Sequence, residues 1–216
     1  MRLVTLGVGA QSSPRYAPAG LLVAHAGRRV MIDGGPRAVP AGRLDAWLVT
    51  DARSELIARI RELAAGRGLV PYAGSLRIGG LRVVARPVIH TSHPTWGYLI
   101  EGAHLKVVWA PEFYAFPAWA RGADLMFSEA AAWNRPIRFV GGVGGHLDVL
   151  AIARAATRHR VRRLVFAHIG RPTFRALDRG LAPPFGEFAR DGQVFTCVRD
   201  RRGGDARERG INRPAP

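Results

Sequence analysis

Short apolar runs, cut by glycine, proline and aspartate, set the pattern of the first fifty residues. They predict a strand over 2–6, then strands over 20–25 and 28–33 joined by a tight turn at Ala26-Gly27, a hairpin signal. The second hairpin strand ends in Asp33-Gly34-Gly35-Pro36. A further strand over 44–50 runs to Asp51. From Ser54 the period changes: Leu56, Ile57, Ile60, Leu63 and Ala64 fall on one face at helical spacing. Ser54 is the expected N-cap, and Gly66 to Gly68 the expected stop. Beyond lie a short strand over 69–72, a hairpin of 76–78 with 81–87 around Gly79-Gly80, and strands over 98–100 and 106–110. A short helical or loop piece over 116–121 precedes a buried strand over 123–128, which leads to Glu129. A glycine-rich loop over 134–145 brings in His146, placed at the start of a helix over 147–159. A strand over 162–167 ends at His168, and an edge strand is expected over 193–199. Strands, a helix, more strands, then helix and strand suit a layered α/β sandwich better than a doubly wound sheet. No internal linker interrupts residues 1–199, so a single domain is expected. The tail, 200–216, is rich in glycine, arginine and proline and is expected to be disordered.

Composition narrows the class. Of the 216 residues 48% are apolar, enough for a sizeable core. A single cysteine, Cys197, excludes an intrachain disulfide and a cysteine-rich zinc module, and suits a reducing cytoplasm. No run of about 18 apolar residues predicts a membrane span, and the N-terminus lacks the pattern of a secretory signal, so a cytoplasmic protein is expected. The net charge is +16, and Lys106 is the one lysine, so arginine supplies 31 of the 32 basic residues. Such a field attracts phosphate-bearing ligands, a small molecule or a nucleic acid, although a solvated basic surface is the simpler account. The arginines at 154, 158, 160, 162 and 163 read as a solvated face. A homodimer is compatible with the sequence.

Candidate chemistry gathers in Val88–Phe113, VIHTSHPTWGYLIEGAHLKVVWAPEF. It holds His90 and His93 before one strand and Glu112 after the next. His146 and His168 stand at loop or strand ends elsewhere. Strand ends on one sheet edge are where layered folds place chemistry, so these residues are expected to converge. The glycines from Gly141 to Gly145 either approach a phosphate through backbone N–H groups or act as a connector.

These segments resemble the metallo-β-lactamase fold, in the branch of ribonuclease Z and small phosphodiesterases. LVTLGVGA with the hairpin ending in Ile32-Asp33-Gly34-Gly35 is similar to that family's opening. HTSHPTWGYLIEG followed by KVVWAPEF, Asp124-Leu-Met-Phe-Ser-Glu129, Gly145-His146 and FAHIGRP resemble its later segments in order. The resemblance implies a four-layer αββα sandwich and a metal-dependent hydrolase acting on a phosphoester. The family's His-x-His-x-Asp-His motif is degenerate here: Asp51 and Arg53 stand for two histidines, and Glu55 and Leu56 for the Asp-His pair. By the same comparison Asp51, His90, Glu112 and His168 are the candidate metal ligands, with His93 as a substitute for His90. His146, Glu55 and Arg53 are the candidate catalytic groups. Arg53 is a fixed cation that repels a second ion and could pair with Glu55 or Glu112 instead. Asp33 is expected to support the site from behind. A carboxylate–imidazole set suits one divalent ion, Zn²⁺, Mn²⁺ or Fe²⁺. The other reading is an inactive relative that binds a nucleotide or nucleic acid at the same mouth without metal.

Overall fold

Strand residues alternate between two buried faces, and that alternation explains the layers. In the computed structural model, which describes residues 1–11, 13–90, 93–102, 104–139 and 144–197, β1 (Arg2–Gly7), β2 (Gly20–His25), β3 (Arg28–Asp33), β4 (Ala46–Leu48) and the late β14 (Gln193–Thr196) form one sheet. Its order is β14-β1-β2-β3-β4. Leu3, Leu21, Val23, Val30, Ile32 and Leu48 enter one apolar cluster, while Val4, Leu22, Met31 and Trp47 enter another. A period of two with apolar residues on both faces requires cover on both sides. On the outer side, Ile60 and Ala64 of α1 (Ile57–Ala65) complete the second cluster.

The inner side packs on a seven-stranded sheet. It consists of β5 (Leu76–Ile78), β6 (Leu81–Val88), β7 (Thr95–Gly102), β8 (Leu105–Ala110), β9 (Leu125–Ala130), β12 (Leu164–Ile169) and β13 (Glu187–Phe188). Between β9 and β12 in sequence lie a two-residue pair, β10 (Ile137–Arg138) with β11 (Gly145–His146), and α2 (Val149–Arg158). Val149, Ile152, Ala153 and Ala156 of α2 join the main cluster and cover the second sheet. The layers are therefore helix, sheet, sheet, helix, the αββα sandwich expected. Among the described residues no helix is long and apolar enough to cross a membrane.

Strand direction sets the site. β8, β9 and β12 are parallel neighbours, as are β3 and β4. Their C-terminal ends carry Asp33, Asp51, Glu112, Glu129 and His168 to one edge of the sandwich. Asp33 and His168 both hold positive φ, 54° and 55°, a conformation non-glycine residues adopt at a cost.

Several sequence expectations are corrected. Residues 69–72 form only a single bridge, Leu48 to Tyr72, because Pro71 interrupts a ladder and Val70 is exposed. α1 starts at Ile57 behind Leu56, with no side-chain cap, so Ser54 is not its N-cap. His146 lies in β11, and α2 is capped instead by Asp148, which accepts from the Ala151 N–H. A helix over Arg171–Asp178, α3, follows Gly170 and carries Pro172 in its first turn. The Gly141-Gly142-Val143 part of the glycine-rich loop and the tail over 200–216 lie outside the described residues.

Asp33 stitches the two sheets. Its Oδ1 accepts from the Thr50 N–H and hydroxyl at 2.7 and 2.9 Å, and its Oδ2 accepts from Trp109 Nε1 of β8 at 2.7 Å. Trp109 is fully buried. Trp109→Phe leaves Asp33 Oδ2 only the Thr50 hydroxyl, 3.0 Å away and shared with Oδ1, and losing the indole donor costs about 1–3 kcal/mol. The urea midpoint should fall accordingly with an unchanged m-value; an unshifted midpoint would deny Asp33 this role.

Candidate functional site

The site is built around Glu129, the fifth residue of β9, which is fully buried. Its Oε1 accepts from the Ala131 N–H at 2.8 Å and faces His168 Nδ1 at 3.2 Å. Its Oε2 accepts from the Phe113 N–H at 3.2 Å and faces His146 Nδ1 at 2.7 Å. A carboxylate has about four acceptor positions, so Glu129 is fully used. Each imidazole donates its Nδ1–H to Glu129, which leaves Nε2 on its outer side. This is the arrangement in which a carboxylate fixes the tautomer and ring plane of a working histidine.

Glu112 lies across the outer nitrogens of His168 and His90. Its Oε1 is 3.1 Å from His168 Nε2 and its Oε2 is 3.4 Å from His90 Nε2. His90 contacts His93 and His146 edge-on, with ring centroids 5.4 and 6.0 Å away. His93 Nε2 in turn meets Asp51 Oδ2 at 2.9 Å, while Asp51 Oδ1 accepts from the Arg53 N–H. Asp51, His93, His90, Glu112, His168, Glu129 and His146 thus form one continuous chain of contacts.

Burial and charge pull the titrations in opposite directions. At Glu112 burial raises the carboxyl, but His168, by charge and hydrogen bond, with His146 and His90, holds it down at about 2. Glu112 also keeps 23% of its side chain open to the mouth, which weakens the burial effect. At His168 burial disfavours the proton, and Glu112 and Glu129 on opposite edges outweigh it, raising the imidazole to about 10. His146 is raised because Glu129 outweighs its burial. His90 is lowered, since burial outweighs the pull of Glu112.

The sequence candidates divide accordingly. Asp51, His90, Glu112 and His168 reach the same mouth, and Asp51 enters it through His93. His146 joins through Glu129. Arg53 and Glu55 are exposed on the rim. The ion pair expected of Arg53 with Glu55 or Glu112 does not form among the described residues, because the Arg53 side chain turns to solvent while its backbone serves Asp51. Glu129 has no role legible in the sequence beyond ending an apolar strand. An acid straight after the run Leu125-Met126-Phe127-Ser128 is the signal that could have marked it, because a buried acid needs partners.

The donors fit one divalent ion better than two. Two ligands on a tetrahedral zinc with bonds of about 2.0–2.1 Å sit about 3.3 Å apart, close to the His90–Glu112 and Glu112–His168 separations. The ligand atoms of Glu129, His146 and His168 also lie within 4.8 Å of one another. Glu129 has no lone pair left, however, so it orients the two imidazoles and is not a ligand. Leu56, in the wall of the mouth, offers no donor to a second ion.

A family model described as a beta-lactamase superfamily domain matches residues 22–169. The chain belongs to that superfamily, and its fold is the metallo-β-lactamase sandwich of a family of hydrolases. Among solved structures it is similar to the metallo-β-lactamase fold protein YhfI from Bacillus subtilis, at 17% identity and TM-score 0.71, covering 90% of this chain and 99% of that one. A diphosphatase of the PhnP family is similar at 18% identity and TM-score 0.68, over 91% and 97% of the two chains. The short form of human tRNase Z is similar at 16% identity and TM-score 0.64, over 91% and 99%. No curated protein sequence matches the chain.

The Glu112–His168 pair ties stability to pH in the metal-free protein. His168 is raised from 6.5 to about 10, so its contribution is complete below about pH 6.5 and declines as pH rises towards 10. Glu112 is lowered from 4.5 to about 2, so its contribution is complete above about pH 4.5 and declines as pH falls towards 2. In chelator, unfolding free energy should fall across the alkaline window, and His168→Asn should flatten that fall. An equal slope in the variant would exclude the pair as its source.

Proposed function

We propose that the chain is a hydrolase of phosphoesters whose mouth holds one divalent ion, Zn²⁺, Mn²⁺ or Fe²⁺. The observation that carries this reading is Glu112 reaching His90 and His168 with its two oxygens, beside a His146 held by Glu129. His90, Glu112 and His168 would hold the ion, with Asp51 or His93 beside them. The ion would lower the pKa of a water and neutralise charge growing on phosphoryl oxygens. Glu129 keeps His146 in one tautomer, so its Nε2 is available to exchange a proton with a substrate oxygen. Two of the similar structures are named as a diphosphatase and a tRNase, which supports phosphate chemistry as the place to begin.

The test combines metal analysis with turnover. The purified protein should bind about one equivalent of metal, and Glu112→Ala should lose it. With Mn²⁺ or Zn²⁺, bis(p-nitrophenyl) phosphate should be hydrolysed, and His146→Ala should lower kcat by about 10²–10⁴-fold at unchanged metal content. Absence of bound metal under every loading condition would overturn the reading.

A second reading is an inactive relative that binds a nucleotide or nucleic acid at the mouth. Arg53 on the rim and Leu56 in the wall, both at positions of the degenerate motif, favour it. It requires binding of a nucleotide in chelator that weakens with salt and is lost in Arg53→Ala. Affinity indifferent to Arg53 would dismiss it.

A further inference from the structure

Two residues before His146 the chain passes directly against His90. Gly144 stands there at φ 125°, a conformation that glycine enters freely and other residues rarely. A Cβ at this position would lie 2.5 Å from His90 Cε1 and 2.6 Å from its Nε2. Carbon atoms in contact sit about 3.5–4.0 Å apart, so a methyl here overlaps the imidazole by about 1 Å. The backbone is held against retreat. The Gly144 carbonyl accepts from the Phe139 N–H at 3.1 Å, Gly145 pairs with Arg138, and His146 is fastened to Glu129 at 2.7 Å. The ring is enclosed as well. His90 is 5% exposed, with His93 and His146 edge-on to it and Glu112 at its Nε2. The half of the ring that meets Glu112 is the half a methyl would strike.

We propose that Gly144 is a positioning residue of the ion site: the side chain it lacks is what allows His90 to stand against Glu112. The inference rests on the reading above that His90, Glu112 and His168 hold one divalent ion. Metal–ligand distances tolerate about 0.2 Å of displacement, several times less than the shift a methyl demands. Position 144 therefore controls the ion without supplying a donor. The same short step of chain carries His146, so the ribbon that aims the proton-exchanging imidazole also limits where a metal-binding one can stand. His168, which enters from β12, carries no such dependence.

Zn²⁺ affinity, measured by competition with a chromophoric chelator, tests this without turnover. Gly144→Ala should weaken binding about 10–100-fold, as loss of a group that orients a ligand does. The substitution also strains the backbone, and a second background separates the two effects. In His90→Ala the obstructed ring is gone while the strain remains, so adding Gly144→Ala should change affinity by no more than about 2-fold. Unchanged affinity in Gly144→Ala, or the full loss repeated in the His90→Ala background, would overturn the proposal. Imidazole ¹H–¹⁵N spectra recorded in chelator read the same contact without metal. Gly144→Ala should move the His90 ring signals and leave those of His168 in place; unmoved His90 signals would equally overturn it. Where the unsubstituted protein or His90→Ala binds no Zn²⁺, these spectra decide alone. An unsubstituted protein that binds no Zn²⁺ rejects the ion-holding reading, whereas shifted His90 signals in that case still keep the hold of Gly144 on the ring.

Discussion

A buried carboxylate with every acceptor position filled is the constraint on which the mouth depends. Glu129 is removed from water and leaving such an ion short of partners costs several kcal/mol, so its four donors are fixed together. Two are backbone N–H groups, Phe113 beyond β8 and Ala131 beyond its own strand. Two are imidazoles, His146 from β11 and His168 from β12. Phe113 is the neighbour of Glu112, so the same carboxylate that aims two histidines also holds the backbone that presents the acid meeting one of them, His168. Four segments distant in sequence share one set of coordinates because of one side chain.

Asp33 shows what happens when the donors are neutral. It too sits at a strand end and accepts from three donors, yet burial outweighs Trp109 and Thr50, and the nearby Glu112 charge adds to it, so its carboxyl rises to about 6. Glu129 feels burial as its largest influence as well, but His146 and His168 bring charge and hydrogen bonds, and its carboxyl is lowered. The two acids therefore take different work. Asp33 ties sheet to sheet through neutral groups, and Glu129 holds two imidazoles by charge and hydrogen bond.

Much of the fold was legible because it rests on local pattern. The hairpin of β2 and β3 follows from alternation and a two-residue turn, and the αββα order from the sequence of periods. The features that escaped depend on partners far along the chain. His146 looked like a helix start since an apolar helical face follows it, but pairing of Ile137 with His146 makes a strand, and Asp148 takes the cap. Residues 69–72 are apolar enough for a strand but only Tyr72 finds a partner. α3 hid behind Pro172, which a helix accepts in its first turn. At the site, His90, Glu112, His146 and His168 could be named from strand ends and resemblance. The four-way satisfaction of Glu129 and the contact of His93 with Asp51 could not, because no spacing in the sequence encodes them.

The balance of charge at the mouth bears on which chemistry is to be preferred. The chain carries +16, but among the described residues the cleft is lined by Asp33, Asp51, Glu55 and Glu112 and by no lysine or arginine. The long-range field draws a phosphate in, and the last few ångströms oppose it. Two like charges 4 Å apart repel by about 4 kcal/mol at the effective dielectric of a protein surface. The charge of His168 already faces two acids, Glu129 at Nδ1 and Glu112 at Nε2. Arg53, on the rim, does not line the cleft. A cation set against Glu112 reverses the local sign, which is why the ion-holding reading accounts for the acids and a metal-free phosphate binder leaves them unexplained.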